Sequence, residues 1–157
     1  MEKKDKFMKN INYVTRGWQA SRLPHADLSN HLLFITCSCI KEYKLSELDK
    51  YLIFNAIFFH NKKMYNLHAS VIMDTHFHII IEPFKSLAKI IHSIKSYSVH
   101  NINKMNKKTG KLWTREYFDR IIRNESDYIE KMNYIINNPI KLDLNDHKWL
   151  YIKYDNE

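Results

Sequence analysis

Two β-rich runs, Tyr65–Met73 and His76–Pro83, are separated only by Asp74-Thr75. A two-residue link is far too short for a parallel crossover, so the runs are expected to fold back as an antiparallel hairpin. Pro83 ends the second run, because proline cannot donate to the ladder. Side chains alternate across a strand, which sends Phe77, Ile79 and Ile81 to one face as candidate core. His76 and His78 then share the other face, where two adjacent imidazoles can bind one divalent metal ion.

The rest of the chain is read around this hairpin. Residues 31–39 are β-rich and read as an earlier strand. Cys37 and Cys39 fall on one face of it, at a spacing that fits neither a zinc knuckle nor a redox pair, and are expected to be buried thiols. Ser46 to about Asn61 carries Leu48, Leu52, Ile53, Ala56 and Ile57 at helical spacing, with Ser46 as the cap and Asp49 three residues on. A second amphipathic helix runs from Ser86 to about Met105, with Leu87, Ile90, Ile91, Ile94 and Ile102 on its apolar side. Asn106 to Gly110 is a basic loop, Leu112 to Arg123 a fourth strand, and Asp127 to Asn137 a third helix that Asn138-Pro139 is expected to stop. The tail, with Trp149 and Tyr151, is expected to pack on the body. The order strand, helix, strand, strand, helix, strand, helix is an α+β pattern, a split β-α-β arrangement with an antiparallel sheet. Residues 1–29 read as a basic N-terminal arm and 30–157 as a single domain, with no internal repeat.

No run approaches the roughly 18 apolar residues of a spanning helix, and the charged start Met1-Glu2-Lys3-Lys4-Asp5-Lys6 lacks a signal-peptide core. A cytoplasmic protein is therefore expected, with no membrane partner and no nucleotide cofactor. The 25 basic residues outnumber the 17 acidic ones, for a formal charge of +8. That balance suits a polyanion, and 13% aromatics, ten of them Tyr, fit base stacking as well as core packing.

The histidine pair wants a third ligand and a nucleophile. In the second helix Tyr97 and Asn101 are four apart and share a face, so Asn101 could complete a metal site beside the Tyr97 hydroxyl. His100, and Glu82 on the histidine face of its strand, are competing ligands, and Tyr117 is an alternative nucleophile. A phenol ionises only near pH 10. A nearby cation favours the phenolate or polarises the phosphate it attacks. A hard ion, Mg²⁺ or Mn²⁺, suits a site in which the substrate supplies phosphate oxygens.

His76-Phe77-His78 in a strand, followed by a helix bearing Tyr97, resembles the HUH single-strand insertion-sequence transposases, and more closely the REP-associated tyrosine transposases. Leu67-His68-Ala69-Ser70-Val71-Ile72-Met73 resembles the strand before the histidine pair. Ser93-Ile94-Lys95-Ser96 resembles the nucleophile helix, Gly110 to Arg120 the Trp-containing strand, and Tyr134-Ile135-Ile136-Asn137-Asn138-Pro139-Ile140-Lys141 the Asn-Pro segment. The likeness runs from about His31 to Trp149. It departs at Asp74-Thr75, where the family often has Pro-Asn, a change expected to alter the turn more than the metal site.

The resemblance implies a ferredoxin-like antiparallel sheet with helices packed on one face, a homodimer, and single-stranded DNA with hairpin structure as substrate. It implies cleavage and rejoining through a 5′-phosphotyrosine link. Carried over, His76, His78 and Asn101 would hold the metal and Tyr97 would be the nucleophile. Lys95, Lys104, Lys107, Lys108, Lys111, Arg115, Arg120 and Arg123 would contact phosphates, and Trp113 would stack on a base or fill the core. A transposase-derived protein that binds a DNA hairpin without cutting it is the competing reading. Relaxases and replication initiators usually need a longer chain, and a metal protein unrelated to DNA leaves the later motifs unexplained.

Overall fold

In the computed structural model, which describes residues 31–141 and 148–153, the order is β1 (Leu33–Ser38), α1 (Glu47–His60), β2 (Tyr65–Ile72), β3 (His76–Pro83), α2 (Leu87–Asn106), β4 (Phe118–Ile121), α3 (Glu125–Lys141) and β5 (Leu150–Ile152). The expected basic arm, 1–29, lies outside the described residues. The hairpin forms as its link demands, with Ile72 opposite Phe77 and Val71 opposite His78. All strand pairs are antiparallel, in the order β4-β1-β3-β2-β5. This is the α+β, ferredoxin-like sheet with one further strand at its edge: the tail does pack on the body, as β5.

α1 begins as its sequence dictates. Ser46 Oγ accepts from the Asp49 N–H, and the Asp49 carboxylate accepts from the Ser46 N–H, a complete capping box. α1 and α2 lie on one face of the sheet. There Ile53, Ile57, Ile90, Ile91, Ile94 and Ile102 meet Leu33, Ile35, Phe77, Ile79 and Ile81 in one core.

β3 is apolar on its second face as well, because Ile80 follows His76 and His78 in register and is fully buried. Leaving such a side chain in water would cost about 2 kcal/mol. α3 covers it: Tyr128, Met132 and Ile135 close over Phe34, Ala69, Val71 and Ile80 in a second core. Two helices thus pack on one face as expected, and the third takes the opposite face, which is the histidine face.

Two boundaries differ from the sequence reading. α3 runs through Asn138 and Pro139 to Lys141. Pro139 falls in the last turn, where it removes a single i→i−4 bond. The expected strand from Leu112 to Arg123 shrinks to Phe118–Ile121, with only an isolated bridge from Trp113 to Cys39 before it. The intervening carbonyls are taken by side chains: Lys95 Nζ donates to the carbonyl oxygens of Thr114 and Arg115, and Thr114 Oγ1 donates to that of Glu116. Cys37 and Cys39 are buried free thiols, and burial pushes both up to about 12.

Candidate active site

β3 delivers His76 and His78 to the α3 face with their ring centroids 4.7 Å apart. Each ring is held through Nδ1. His78 Nδ1 lies 2.6 Å from Thr36 Oγ1 on β1, its register partner, and His76 Nδ1 lies 3.0 Å from Thr75 Oγ1 in the hairpin turn. In the tautomer that carries its proton on Nδ1, each ring donates to the hydroxyl and keeps its Nε2 lone pair for a ligand. His78 is 3% exposed, and its Nε2 is buried without a hydrogen-bond partner among the described residues. An orphaned imidazole nitrogen in a core is costly unless it serves a ligand. The turn is anchored too: Asp74 takes an ion pair at 2.7 Å from the buried Lys50. Asp74-Thr75 therefore supports His76 and does not disrupt the pair.

α3 brings a tyrosine to the histidines, and it is Tyr134. Its ring centroid is 5.1 Å from that of His78 and 5.8 Å from that of Phe34, which stacks on His78 at 5.4 Å. Tyr134 is 44% exposed, so an outside substrate can reach it. One turn on, Asn138 shares its helix face, and the Asn138 amide nitrogen is buried without a partner among the described residues. Lys131, one turn before Tyr134, carries its ammonium over the Phe34 ring at 5.5 Å and pairs with Glu130. Sequence reading missed all three as site residues. The signal was the i, i+4 pair Tyr134/Asn138, at the same spacing as Tyr97/Asn101.

Tyr97 is not brought to the histidines. It lies on α2, across the sheet, with its ring stacked on Phe59 at 4.8 Å and against His60 at 5.6 Å. Asn101 and the exposed His100 lie on that same helix, which packs on the other face of the sheet. Tyr117 packs against the α1/α2 core, and burial pushes its hydroxyl up, away from phenolate. Glu82 is on the histidine face but accepts from Asn66 Nδ2 at 3.2 Å. Among the described residues no group of three His, Cys, Asp or Glu side chains is placed to hold a metal ion. Among the described residues a third protein ligand for a cation at the pair is therefore of another type, and the Asn138 side-chain amide is one such group.

The expected DNA contacts divide. Trp113 is 7% exposed, donates its indole N–H to Ser98 Oγ at 3.0 Å and meets Phe77 edge-on, so it fills the core. Lys95 is turned onto loop carbonyls. Lys108 donates to Tyr43 Oη and covers that ring. Lys104, Lys107, Lys111 and Arg115 remain exposed on the last turn of α2 and the loop after it. That loop borders the histidines: the Thr114 N–H donates to the Ser38 carbonyl, and Ser38 is the register partner of His76. Arg120 pairs with Phe34 in register, hence on the histidine face, and lies 3.6 Å from Asp127, whose other carboxylate oxygen accepts from the Arg123 N–H.

Burial, with His76 beside it, pushes His78 down to about 3, and burial, with Lys153 beside it, pushes His68 down to about 4. Both are neutral at pH 7, the form that ligates metal. In the unfolded chain both titrate near 6.5. Below that pH the unfolded chain binds protons that the native protein refuses, so stability is full above about 6.5 and falls as the pH drops towards 4. Each histidine contributes at most about 1.4 kcal/mol per pH unit in that window. Thermal melts are expected to be level from pH 7 to 8 and to drop between pH 6.5 and 4.5. His68→Asn should flatten part of the drop, and an unchanged slope in that variant would remove His68 from the account.

A model of the family described as "Transposase IS200 like" matches residues 25–138. Among solved structures, that of a REP-associated tyrosine transposase bound to a REP hairpin is similar at a TM-score of 0.62 and 21% identity, over 73% of this chain and 69% of that one, a likeness of fold. A putative transposase from Deinococcus radiodurans R1 aligns at a TM-score of 0.44 and 13% identity, over 68% of this chain and 88% of that one. No curated protein matches. Among the described residues no helix is long and apolar enough to cross a membrane.

Proposed function

The chain belongs to the IS200-like transposase family, and on that footing we propose that it cuts and rejoins single-stranded hairpin DNA through a covalent bond to Tyr134. The observation that carries this reading is the contact of an exposed tyrosine with a buried imidazole whose Nε2 has no partner among the described residues. The donor set fits a hard divalent cation, Mg²⁺ or Mn²⁺, held by His76, His78 and the Asn138 side-chain oxygen, with phosphate oxygens as further ligands. Such an ion supplies charge that polarises the phosphate.

The chain's own groups do the rest. Tyr134 Oη gives up its proton to solvent and attacks phosphorus, the bond to the 3′-oxygen breaks, and that oxygen takes up a proton from solvent. The product is a 5′-phosphotyrosine and a free 3′-hydroxyl. The phosphodiester's energy is kept in the new bond, so another 3′-hydroxyl can reverse the step without a nucleotide cofactor. Lys131 adds positive charge where the phosphate gathers negative charge. Arg120 and the exposed Lys104, Lys107, Lys111 and Arg115 hold the backbone, which makes binding salt-sensitive. A hairpin substrate has support in the REP hairpin held by the REP-associated transposase of the same fold. A homodimer, which the resemblance implies, belongs to the same reading and is tested by sedimentation of free and DNA-bound protein.

The test is incubation with labelled hairpin DNA and Mn²⁺, a denaturing gel, and mapping of the linked peptide by mass spectrometry. A metal-dependent adduct on the peptide containing Tyr134 is expected. DNA binding with no adduct would favour the competing reading, a hairpin-binding protein that does not cut.

Thr36 offers a finer check. Losing a partner that orients a metal-binding histidine typically costs 10- to 100-fold in metal affinity. Thr36→Val keeps the shape and removes the hydroxyl at His78 Nδ1. The Mn²⁺ concentration for half-maximal cleavage is expected to rise by about 10- to 100-fold, with the rate restored at saturating metal. An unchanged half-saturation point would mean that Thr36 only abuts the ring.

A further inference from the structure

We propose that Phe118 is a stacking platform for an unpaired base beside the phosphate held at the histidines. The inference rests on the single-stranded DNA reading of the site and adds a residue that positions the strand. Phe118 lies at the first position of β4, an edge strand, and is 58% exposed. Edge strands usually carry charge or proline, which discourage pairing with other chains. A large exposed ring on one therefore calls for a use, although isolated exposed apolar residues are ordinary elsewhere.

Its register supplies that use. Phe118 pairs with Thr36, and Thr36 pairs with His78. Partners in an antiparallel ladder share a face, so Phe118, Thr36 and His78 form one row on the α3 side. Two strand spacings separate the ends of the row, about 10 Å, within reach of the nucleotide next to the one under attack. α3 covers the inner part of this face, where Tyr134 contacts Phe34 and His78. It leaves Phe118 open to solvent at the outer strand. A strand entering at Tyr134 and leaving over β1 passes Phe118.

Charge flanks the ring. Arg120 is two residues along on the same face, and Arg115 is exposed three residues before. A π-face bordered by cations that hold phosphates is the arrangement used to bind single strands without reading their sequence. Stacking of this kind tolerates any base, so Phe118 sets where the strand lies and leaves sequence choice to other contacts.

The probe is hairpin DNA with 2-aminopurine placed in turn at each unpaired position, and a matched set with an abasic site. With wild-type protein, fluorescence should be quenched at one position. Phe118→Ala should abolish that quenching and weaken binding by about five- to a hundredfold, while Phe118→Trp keeps both. The abasic substrate should weaken wild-type binding by the same factor and cost Phe118→Ala nothing more. Because Phe118 is exposed, the alanine variant should melt with wild type. If Phe118→Ala binds and quenches like wild type while the Tyr134 adduct still forms, the platform is wrong and the catalytic reading stands. If quenching depends on Phe118 but no adduct forms, the platform stands and the catalytic reading falls. Absence of any single-strand binding overturns both.

Discussion

Tyr134→Phe is expected to abolish the covalent DNA–protein link, a loss of at least about 10³-fold, because it removes the attacking oxygen itself. Tyr97→Phe is expected to leave the link intact. The two variants delete the same atom from the same residue type, each on a helix with an asparagine four residues on. Only the side of the sheet differs. Tyr134 touches His78, whereas Tyr97 is stacked on Phe59 behind the sheet. The ring that remains in Tyr97→Phe would keep that stack, so the fold of the variant is not at issue. Neither is that of Tyr134→Phe, whose exposed ring keeps its edge contact with Phe34. The measurement is adduct yield on a denaturing gel, with hairpin affinity measured in parallel to show that both variants still hold DNA. Loss of the adduct in Tyr97→Phe and its survival in Tyr134→Phe would overturn the assignment.

The contrast between these tyrosines marks where sequence reading stops. A short link, alternating runs and 3.6-residue periodicity made the hairpin, the sheet and the helices legible, and alternation alone put His76 and His78 side by side. Periodicity reports which face of a helix is apolar. It does not report which face of the sheet that helix covers. β1 and β3 are apolar on both sides, with Phe34 and Ile80 buried on the histidine face as firmly as Ile35 and Ile79 on the other. Either side could take either helix, and helix α2, next in sequence to the histidines, was the natural partner. The connection decides otherwise: α2 packs with α1 over the first core, and α3 is the element left to cover Ile80. Asn138-Pro139 hides the pairing further: a helix stop there takes Asn138 out of register with Tyr134, whereas the helix continues past it to Lys141. Trp113 and Lys95 show the same limit on a smaller scale. A basic or aromatic residue near a site in sequence says nothing of whether it faces the substrate or fastens a loop.

His78→Ala is expected to remove cleavage at every metal concentration while leaving hairpin binding by the outer cations in place. A metal ion that stabilises transition-state charge is worth several kcal/mol, hence at least about 10³-fold in rate. His76→Ala should lose activity similarly. The two differ in stability, because His78 is buried and His76 is only partly so. Removing the His78 ring deletes its contacts with Phe34 and Tyr134 and opens a cavity, which favours a lower melting temperature at pH 7. It also deletes a group that burial pushes down to about 3. The unfolded variant then has one proton fewer to gain below pH 6.5. The deficit of His78→Ala relative to wild type should therefore shrink as the pH falls from 7 to 4.5. Paired melts of the two proteins across that range, beside cleavage assays from micromolar to millimolar Mn²⁺, separate the two roles. A constant deficit with lost activity would keep His78 as a ligand but deny that it is buried uncharged. Retained activity would remove the histidine pair from the chemistry altogether.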